Sequence, residues 1–107
     1  MTREELLSEW ARLAPGENLG FLAFVASDAD PRGPAPATVA AVLLSALISA
    51  IRAREDWSME IRLDSDGAVE ATVKDGARPA HYGDLPEPCD SLLRAYVQAL
   101  QAAEEGK

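Results

Sequence analysis

Apolar residues are most concentrated in one stretch of the chain, residues 37–51, which only one threonine and two serines interrupt. At the 100° per residue of an α-helix, its Val, Leu and Ile side chains cover roughly two-thirds of the circumference, whereas a surface helix needs an apolar stripe of only about 100°. A membrane span needs about 20 apolar residues, and this stretch is shorter and has charges of both signs on either side. The pattern therefore predicts a helix over 36–54 that is buried in the core or in a subunit interface.

Strict alternation of apolar and polar residues marks 57–75 as a β-hairpin with one buried face and one wet face. The parity of the alternation also predicts the loop. A two- or four-residue loop would place the apolar sets on opposite faces, whereas a three-residue loop, Ser65 to Gly67, with Gly67 left-handed, keeps them together. The predicted pairs are Leu63 with Val69, Ile61 with Ala71, Met59 with Val73 and, on the outer face, Arg62 with Glu70.

The remaining segments divide into two helices, a strand and two loops. Thr2 and Glu5 have the spacing of a capping box and begin a helix in which Trp10 is a core anchor. The continuous apolar run 19–26 predicts a strand that is apolar on both faces, and the prolines and glycine of 28–34 predict a loop. A polar loop over 76–88 then leads into a last helix, which we expect Asp90 to cap.

The predicted fold class is α+β, a small two-layer sandwich in the order α-β-α-β-β-α that forms one domain over residues 1–107. The helix that joins the first strand to the hairpin is a crossover, which predicts that these two strands are parallel. The sheet would then be a three-stranded mixed sheet, covered on one side by three helices.

This arrangement leaves more apolar surface than the chain can cover. The 19–26 strand is apolar on both faces, and exposed apolar strands are normally covered or paired. We therefore expect a homodimer, formed through the 19–26 strand or the 39–51 part of the helix. The residues predicted to mediate self-association are Phe21, Phe24, Leu44 and Ile48.

The charge of the chain is acidic and unevenly distributed. Its 107 residues carry a net charge of −8, and residues 55–107 account for −7 of it. Such a field repels phosphate backbones and anionic lipid surfaces, which argues against nucleic-acid and membrane partners. It favours a partner protein with a basic surface. The residues predicted to bind that partner are Glu55, Asp56, Asp75, Asp84, Glu87 and Asp90.

Cysteine content and the start of the chain suggest where the protein works. A single cysteine excludes an internal disulfide and a cysteine-based zinc site. No basic start followed by an apolar stretch and a cleavage site is present. We therefore expect a cytoplasmic protein, and the excess of arginine over lysine, with abundant alanine, favours a bacterial or phage origin.

Residues that could carry chemistry do not form a recognisable catalytic set. His81 and Cys89 could make a thiol–imidazole pair, but the sequence supplies neither an orienting group nor an oxyanion site. The segments 28–30 and 64–67 resemble calcium-loop fragments but lack the required ligand spacing, so turn formation explains them. The small residues Thr38, Ala41, Ser45 and Ser49 are explained by close packing. We expect no cofactor and no metal.

These observations favour a non-catalytic protein-interaction module, of the inhibitor, immunity or chaperone type, that acts on a basic partner surface. One alternative is a small-ligand-binding or enzymatic domain, with its site under the 76–88 loop near Trp57, His81 and Tyr82. Another is an accessory subunit of a larger assembly. The absence of a catalytic motif and the lopsided charge favour the first.

Overall fold

Three helices and a three-stranded sheet make up the part of the chain that the structure, a computed structural model, describes: residues 2–18, 21, 36–67, 69–76 and 79–105. The elements in chain order are α1 (Arg3–Leu13), α2 (Pro36–Arg52), β1 (Trp57–Leu63), β2 (Val69–Asp75), β3 (His81–Asp84) and α3 (Pro88–Glu105). The predicted α+β class, the three helices and the hairpin are thus confirmed.

The hairpin of β1 and β2 has the predicted register. Ile61 lies opposite Ala71, and Arg62 lies opposite Glu70. Gly67 has a φ of 87° and donates its N–H to the carbonyl of Asp64 at 3.0 Å. The parity of the apolar positions therefore predicted the loop correctly, because a loop of two or four residues would expose one apolar set. Although Arg62 lies opposite Glu70 as predicted, its guanidinium Nε lies 3.9 Å from Oε1 of Glu60, which is on the same strand as Arg62.

The third strand of the sheet is not the one that the sequence predicted. Residues 81–84, expected to belong to a loop, form β3, which pairs antiparallel with β2. The order of the described sheet is β1-β2-β3 and both of its pairings are antiparallel, in contrast to the mixed sheet that the sequence predicted. A short connection from β2 to β3 produces this arrangement, because antiparallel neighbours need no crossover. The predicted 19–26 strand lies outside the described residues except for Phe21, which is helical and buried.

β3 is held against the first turns of α3 at very short range. A Cβ atom built on Gly83 would lie 1.8 Å from the carbonyl oxygen of Ser91, so only glycine fits there. The Ser91 hydroxyl accepts the N–H of Leu85 at 2.8 Å and lies at the same distance from the Leu85 carbonyl. α3 begins at Pro88, a favoured residue for a first helical position, so Asp90 lies inside the first turn and is not the cap.

The core lies between the inner face of the sheet and the helices, with α3 at its centre. Trp10 of α1, Leu43 and Leu47 of α2 and Tyr96 of α3 have no exposed surface. The flanks of α2 are only half-buried, and its small residues Thr38, Ala41, Ser45 and Ser49 are exposed, so the described residues do not close-pack that face. Within the described ranges, no helix is long and apolar enough to cross a membrane.

Candidate functional site

A polar and aromatic cluster joins α1 and the turn after it, the turn between α2 and β1, the first residue of β1, and the middle of α3. It consists of Trp10, Glu17, Arg54, Trp57 and Tyr96. Oε1 of Glu17 accepts the Tyr96 hydroxyl at 2.6 Å and the indole N–H of Trp10 at 3.0 Å. The guanidinium of Arg54 donates to the Tyr96 oxygen at 2.7 Å and to Oε2 of Glu17 at 3.0 Å.

The aromatic rings complete this cluster. Trp10 and Trp57 each make an edge contact with Tyr96, with ring centroids 5.8 Å apart. The guanidinium carbon of Arg54 lies 4.8 Å from the centroid of the Trp57 ring, which is cation–π geometry. Arg54 therefore binds a carboxylate, a hydroxyl and an aromatic face at once, and it ties the start of β1 to α1 and α3.

The protonation states in the cluster suit a structural role. Burial raises the pKa of Tyr96, and its hydrogen bond to Glu17 raises it further, so the phenol stays a neutral donor. Burial lowers the pKa of Arg54, but the hydrogen bond to Tyr96 and the charge of Glu17 outweigh it, and the net pKa is raised. Because the cluster members satisfy one another, we assign them to stability and not to catalysis.

Removal of one hydroxyl from this cluster should be measurable. Tyr96→Phe is expected to lower the free energy of unfolding by about 1–3 kcal/mol, because Arg54 then loses a buried acceptor and Glu17 a donor. Urea denaturation followed by tryptophan fluorescence measures the change. Tyr82→Phe is the matched control, since Tyr82 is 57% exposed, and should shift stability by less than about 0.5 kcal/mol. Equal losses in both variants would contradict the assignment.

A second charged cluster joins the start of α1 to the start of α3. Arg3 makes two hydrogen bonds to the Asp90 carboxylate, of 2.6 and 3.0 Å, and lies 3.7 Å from a Glu87 oxygen. The potential metal-ligand atoms of Glu87, Cys89 and Asp90 lie within 4.8 Å of one another. Burial raises the pKa of the Cys89 thiol, which disfavours the thiolate that metals bind. The Arg3 cation occupies this place instead, so we assign the cluster to an ion pair between helices.

The structure divides the six acids that the sequence singled out between the two ends of the sheet. Glu55, Asp56 and Asp75 lie at the base of the hairpin, where Trp57 pairs with Asp75. Asp84 lies opposite Glu70, near the tip. The five residue steps from Glu70 to Asp75 span about 17 Å along the strand. The six acids therefore do not form one surface, and Asp90 is already bound to Arg3.

One groove near the hairpin tip combines acids with an apolar floor. It has a volume of about 340 Å³ and is lined by Asp66, Gly67, Val69, Asp84, Leu85 and Pro86; we call it the tip groove. Its carboxylates come from the hairpin loop and from the end of β3, and the side chains of Val69, Leu85 and Pro86 are apolar. Asp66 was not among the predicted partner-binding residues, because only the pairing of β3 with β2 brings it close to Asp84.

The residues predicted to mediate self-association have different environments. Phe21 is 4% exposed, Leu44 and Ile48 are half-buried, and Phe24 lies outside the described residues. Phe21, Glu17 and the small α2 residues Ala41, Ser45 and Ser49 are among the residues that line a larger groove of about 590 Å³. The buried Phe21 is a core residue in this structure, so of the three described residues Leu44 and Ile48 are the ones that present apolar surface.

Comparisons with known proteins add no further constraint. No protein-family model, no curated protein and no solved structure matches the chain. Proposals about function therefore depend on the geometry of the chain itself.

Proposed function

We propose that this chain is a small acidic, non-catalytic interaction module that binds a basic surface of a partner protein, as an inhibitor, immunity protein or chaperone does. The tip groove is the observation that carries the proposal. It is lined by the acidic residues Asp66 and Asp84 together with the apolar residues Val69, Leu85 and Pro86. A surface of this kind matches a basic side chain better than it matches a neutral or acidic one.

The occupant that fits the tip groove is a lysine or arginine side chain of the partner. Both residues have a long aliphatic stem that packs on apolar surface and a charged end group that needs an acceptor. The stem would lie on Leu85 and Pro86, and the end group would lie between Asp66 and Asp84. An arginine can also bind a carboxylate through two hydrogen bonds, which fixes its orientation.

The charge of the whole chain supports the same partner. The net charge of −8 attracts a basic protein over distances of about one Debye length and raises the association rate. The tip groove then provides specificity, because it combines two acids with a shaped apolar floor. Long-range attraction and local fit thus favour one class of partner.

The alternative of a ligand or catalytic site under residues 76–88 receives less support. β3 occupies the middle of that segment and packs directly on α3, since Gly83 lies against the Ser91 carbonyl. His81 and Tyr82 are adjacent in β3 and so point to opposite faces of the sheet. The pair that the sequence suggested for a site is therefore split by the strand.

A test compares two double variants that lose the same charge. In Asp66→Asn/Asp84→Asn the tip groove loses its carboxylates, and in Glu4→Gln/Glu105→Gln two exposed helix residues lose theirs. The full chain and both variants are used to capture proteins from the native host, and the captured partner is then titrated by calorimetry. We expect a basic partner whose Kd rises about tenfold for the groove variant and stays within about twofold for the control.

Three results would contradict the proposal. The first is a partner with an acidic or neutral contact surface. The second is equal weakening by both double variants, which would indicate unspecific attraction by net charge. The third is undiminished binding by the groove variant while thermal denaturation shows that it is folded.

A further inference from the structure

β1 forms one open edge of the described sheet. It pairs with β2, which lies between β1 and β3. β1 is seven residues long, whereas the opposite edge strand β3 has four. An edge strand presents a row of backbone N–H and C=O groups that can pair with another strand. Of the two edge strands, β1 therefore offers more backbone groups for pairing with another strand.

The hydrogen-bond pattern of the hairpin shows which backbone N–H and C=O groups of β1 point to this open edge. In an antiparallel pair, hydrogen-bonded and non-bonded residue pairs alternate. The Gly76 N–H donates to the Asp56 carbonyl at 2.9 Å, so the even-numbered residues of β1 bond to β2. Met59, Ile61 and Leu63 consequently direct their backbone groups outward. The Trp57 N–H agrees with this pattern, because it donates to the Arg54 carbonyl at 3.5 Å and not to β2.

The side chains of β1 are also incompletely covered. Leu63 is 74% exposed although it continues the inner, apolar face of the strand, and Met59 and Ile61 are half-buried. On the outer face, the side chains of Glu60 and Arg62 are 69% and 63% exposed. They carry opposite charges two positions apart. A strand with this pattern is complementary to an inverted copy of itself.

We propose that β1 pairs antiparallel with β1 of a second copy, about a two-fold axis at Ile61, to form a continuous six-stranded sheet. In this register Ile61 lies opposite Ile61 of the partner subunit. Leu63 lies opposite Met59 of the partner subunit, and Glu60 lies opposite Arg62 of the partner subunit. The backbone groups of Met59, Ile61 and Leu63 form six hydrogen bonds across the axis.

The charges of Glu60 and Arg62 favour this register over the neighbouring registers. An axis at Glu60 would place two glutamates opposite each other, and an axis at Arg62 would do the same with two arginines. Like charges directly opposite one another destabilise a strand pair, whereas opposite charges stabilise it. An axis at Met59 also pairs five residues of β1, but it leaves the exposed Leu63 outside the paired stretch and places Glu60 opposite Ser58, so no opposite-charge pair forms. An axis at Leu63 pairs only Leu63 itself within β1. The Ile61 register pairs the five residues 59–63 and, among these registers, alone combines two opposite-charge pairs with cover for the exposed Leu63.

The dimer is independent of the proposed function. Its pairing residues belong to β1, whereas the tip groove uses Asp66 and Asp84. It also differs from the dimer that the sequence predicted, which was to form through 19–26 or α2. Loss of dimerisation and loss of partner binding can thus be separated by variants at different residues.

Charge exchange across the axis tests the register. Sedimentation equilibrium of the wild-type chain should give twice its mass of 11.4 kDa. Glu60→Arg alone and Arg62→Glu alone should each weaken the dimer by about tenfold or more, since both opposite-charge pairs become like-charge pairs. The double variant Glu60→Arg/Arg62→Glu restores both pairs and should return the Kd to within about threefold of the wild type. Lys74→Glu makes the same charge change as Arg62→Glu on the neighbouring strand and should leave the dimer intact.

A backbone variant tests the hydrogen bonds separately. Leu63→Pro removes an N–H that points to the open edge, so it leaves the bonds between β1 and β2 in place and should abolish the dimer. In the wild-type dimer the amides of Met59, Ile61 and Leu63 should exchange slowly with solvent, and in Leu63→Pro the first two should exchange fast. A wild-type monomer at sub-millimolar concentration would overturn the proposal. So would a dimer that tolerates both single reversals, or one that the double exchange fails to restore while circular dichroism shows a folded chain.

Discussion

Leu47→Ala is expected to lower the free energy of unfolding by about 2–5 kcal/mol, a large part of the total of about 5–15 kcal/mol for a domain. The Leu47 side chain has no exposed surface and lies in the core between α2 and α3. Its truncation removes apolar contacts and leaves a cavity that the rigid neighbours fill only in part. Urea denaturation at one fixed protein concentration, followed by tryptophan fluorescence, measures the loss.

Ser45→Ala provides the control for the same helix. Ser45 is two positions away from Leu47, on the exposed face of α2. Its replacement removes no described contact, and alanine has the higher helix propensity, so stability should change by less than about 0.5 kcal/mol. Leu43→Ala, at the other fully buried leucine of α2, should resemble Leu47→Ala. A small loss at both leucines would mean that α2 packs loosely on the core.

The hairpin was predictable because its information is local. Because the residues alternate with period two, loops of two or four residues would separate the apolar sets, whereas the three-residue loop keeps them on one face and places Leu63 opposite Val69. Trp10 was likewise predictable as a core residue, and it has no exposed surface. In both cases, the spacing of apolar residues in the surrounding sequence was sufficient to predict the local structure.

β3 was not predictable in the same way. Its four residues, His81–Asp84, are mostly polar, and prolines lie on both sides of the segment. Of these four residues only Tyr82 favours a strand, and Gly83 and Asp84 disfavour one. The segment becomes one because β2 offers it an edge and because Gly83 allows α3 to approach. These contacts are tertiary, so a pattern within the segment cannot reveal them.

The charged sites show the same limit. Asp90 appeared to be a candidate partner-binding acid, but its carboxylate is bound by Arg3, which is 87 positions away in the chain. Glu17, Arg54 and Tyr96 join in one cluster across separations of 37 and 79 residues. A count of charges in a segment describes the field of the protein, but only the fold determines which charges are neutralised by partners.

The last expected result concerns the residue that made β3 unpredictable. Gly83→Ala should lower the free energy of unfolding by about 3 kcal/mol, or the melting temperature by about 10 °C or more. The added Cβ would lie 1.8 Å from the Ser91 carbonyl oxygen and 2.7 Å from its carbon. Because these atoms belong to the backbone of α3, no side-chain rotation relieves the overlap. β3 must therefore move away from α3, which also strains the hydrogen bonds between Leu85 and the Ser91 hydroxyl.

Asp84→Ala is the control at the next position, where the side chain is exposed and stability should change by less than about 0.5 kcal/mol. Thermal denaturation followed by circular dichroism measures both variants. Hydrogen exchange adds a local reading, since the β3 amides should lose protection in Gly83→Ala before those of β1 and β2 do. A Gly83→Ala variant as stable as Asp84→Ala would show that β3 does not pack on α3 at this distance. The tip groove would then lose the element that places Asp84 beside Asp66, so this single substitution tests the fold on which the proposed partner site depends.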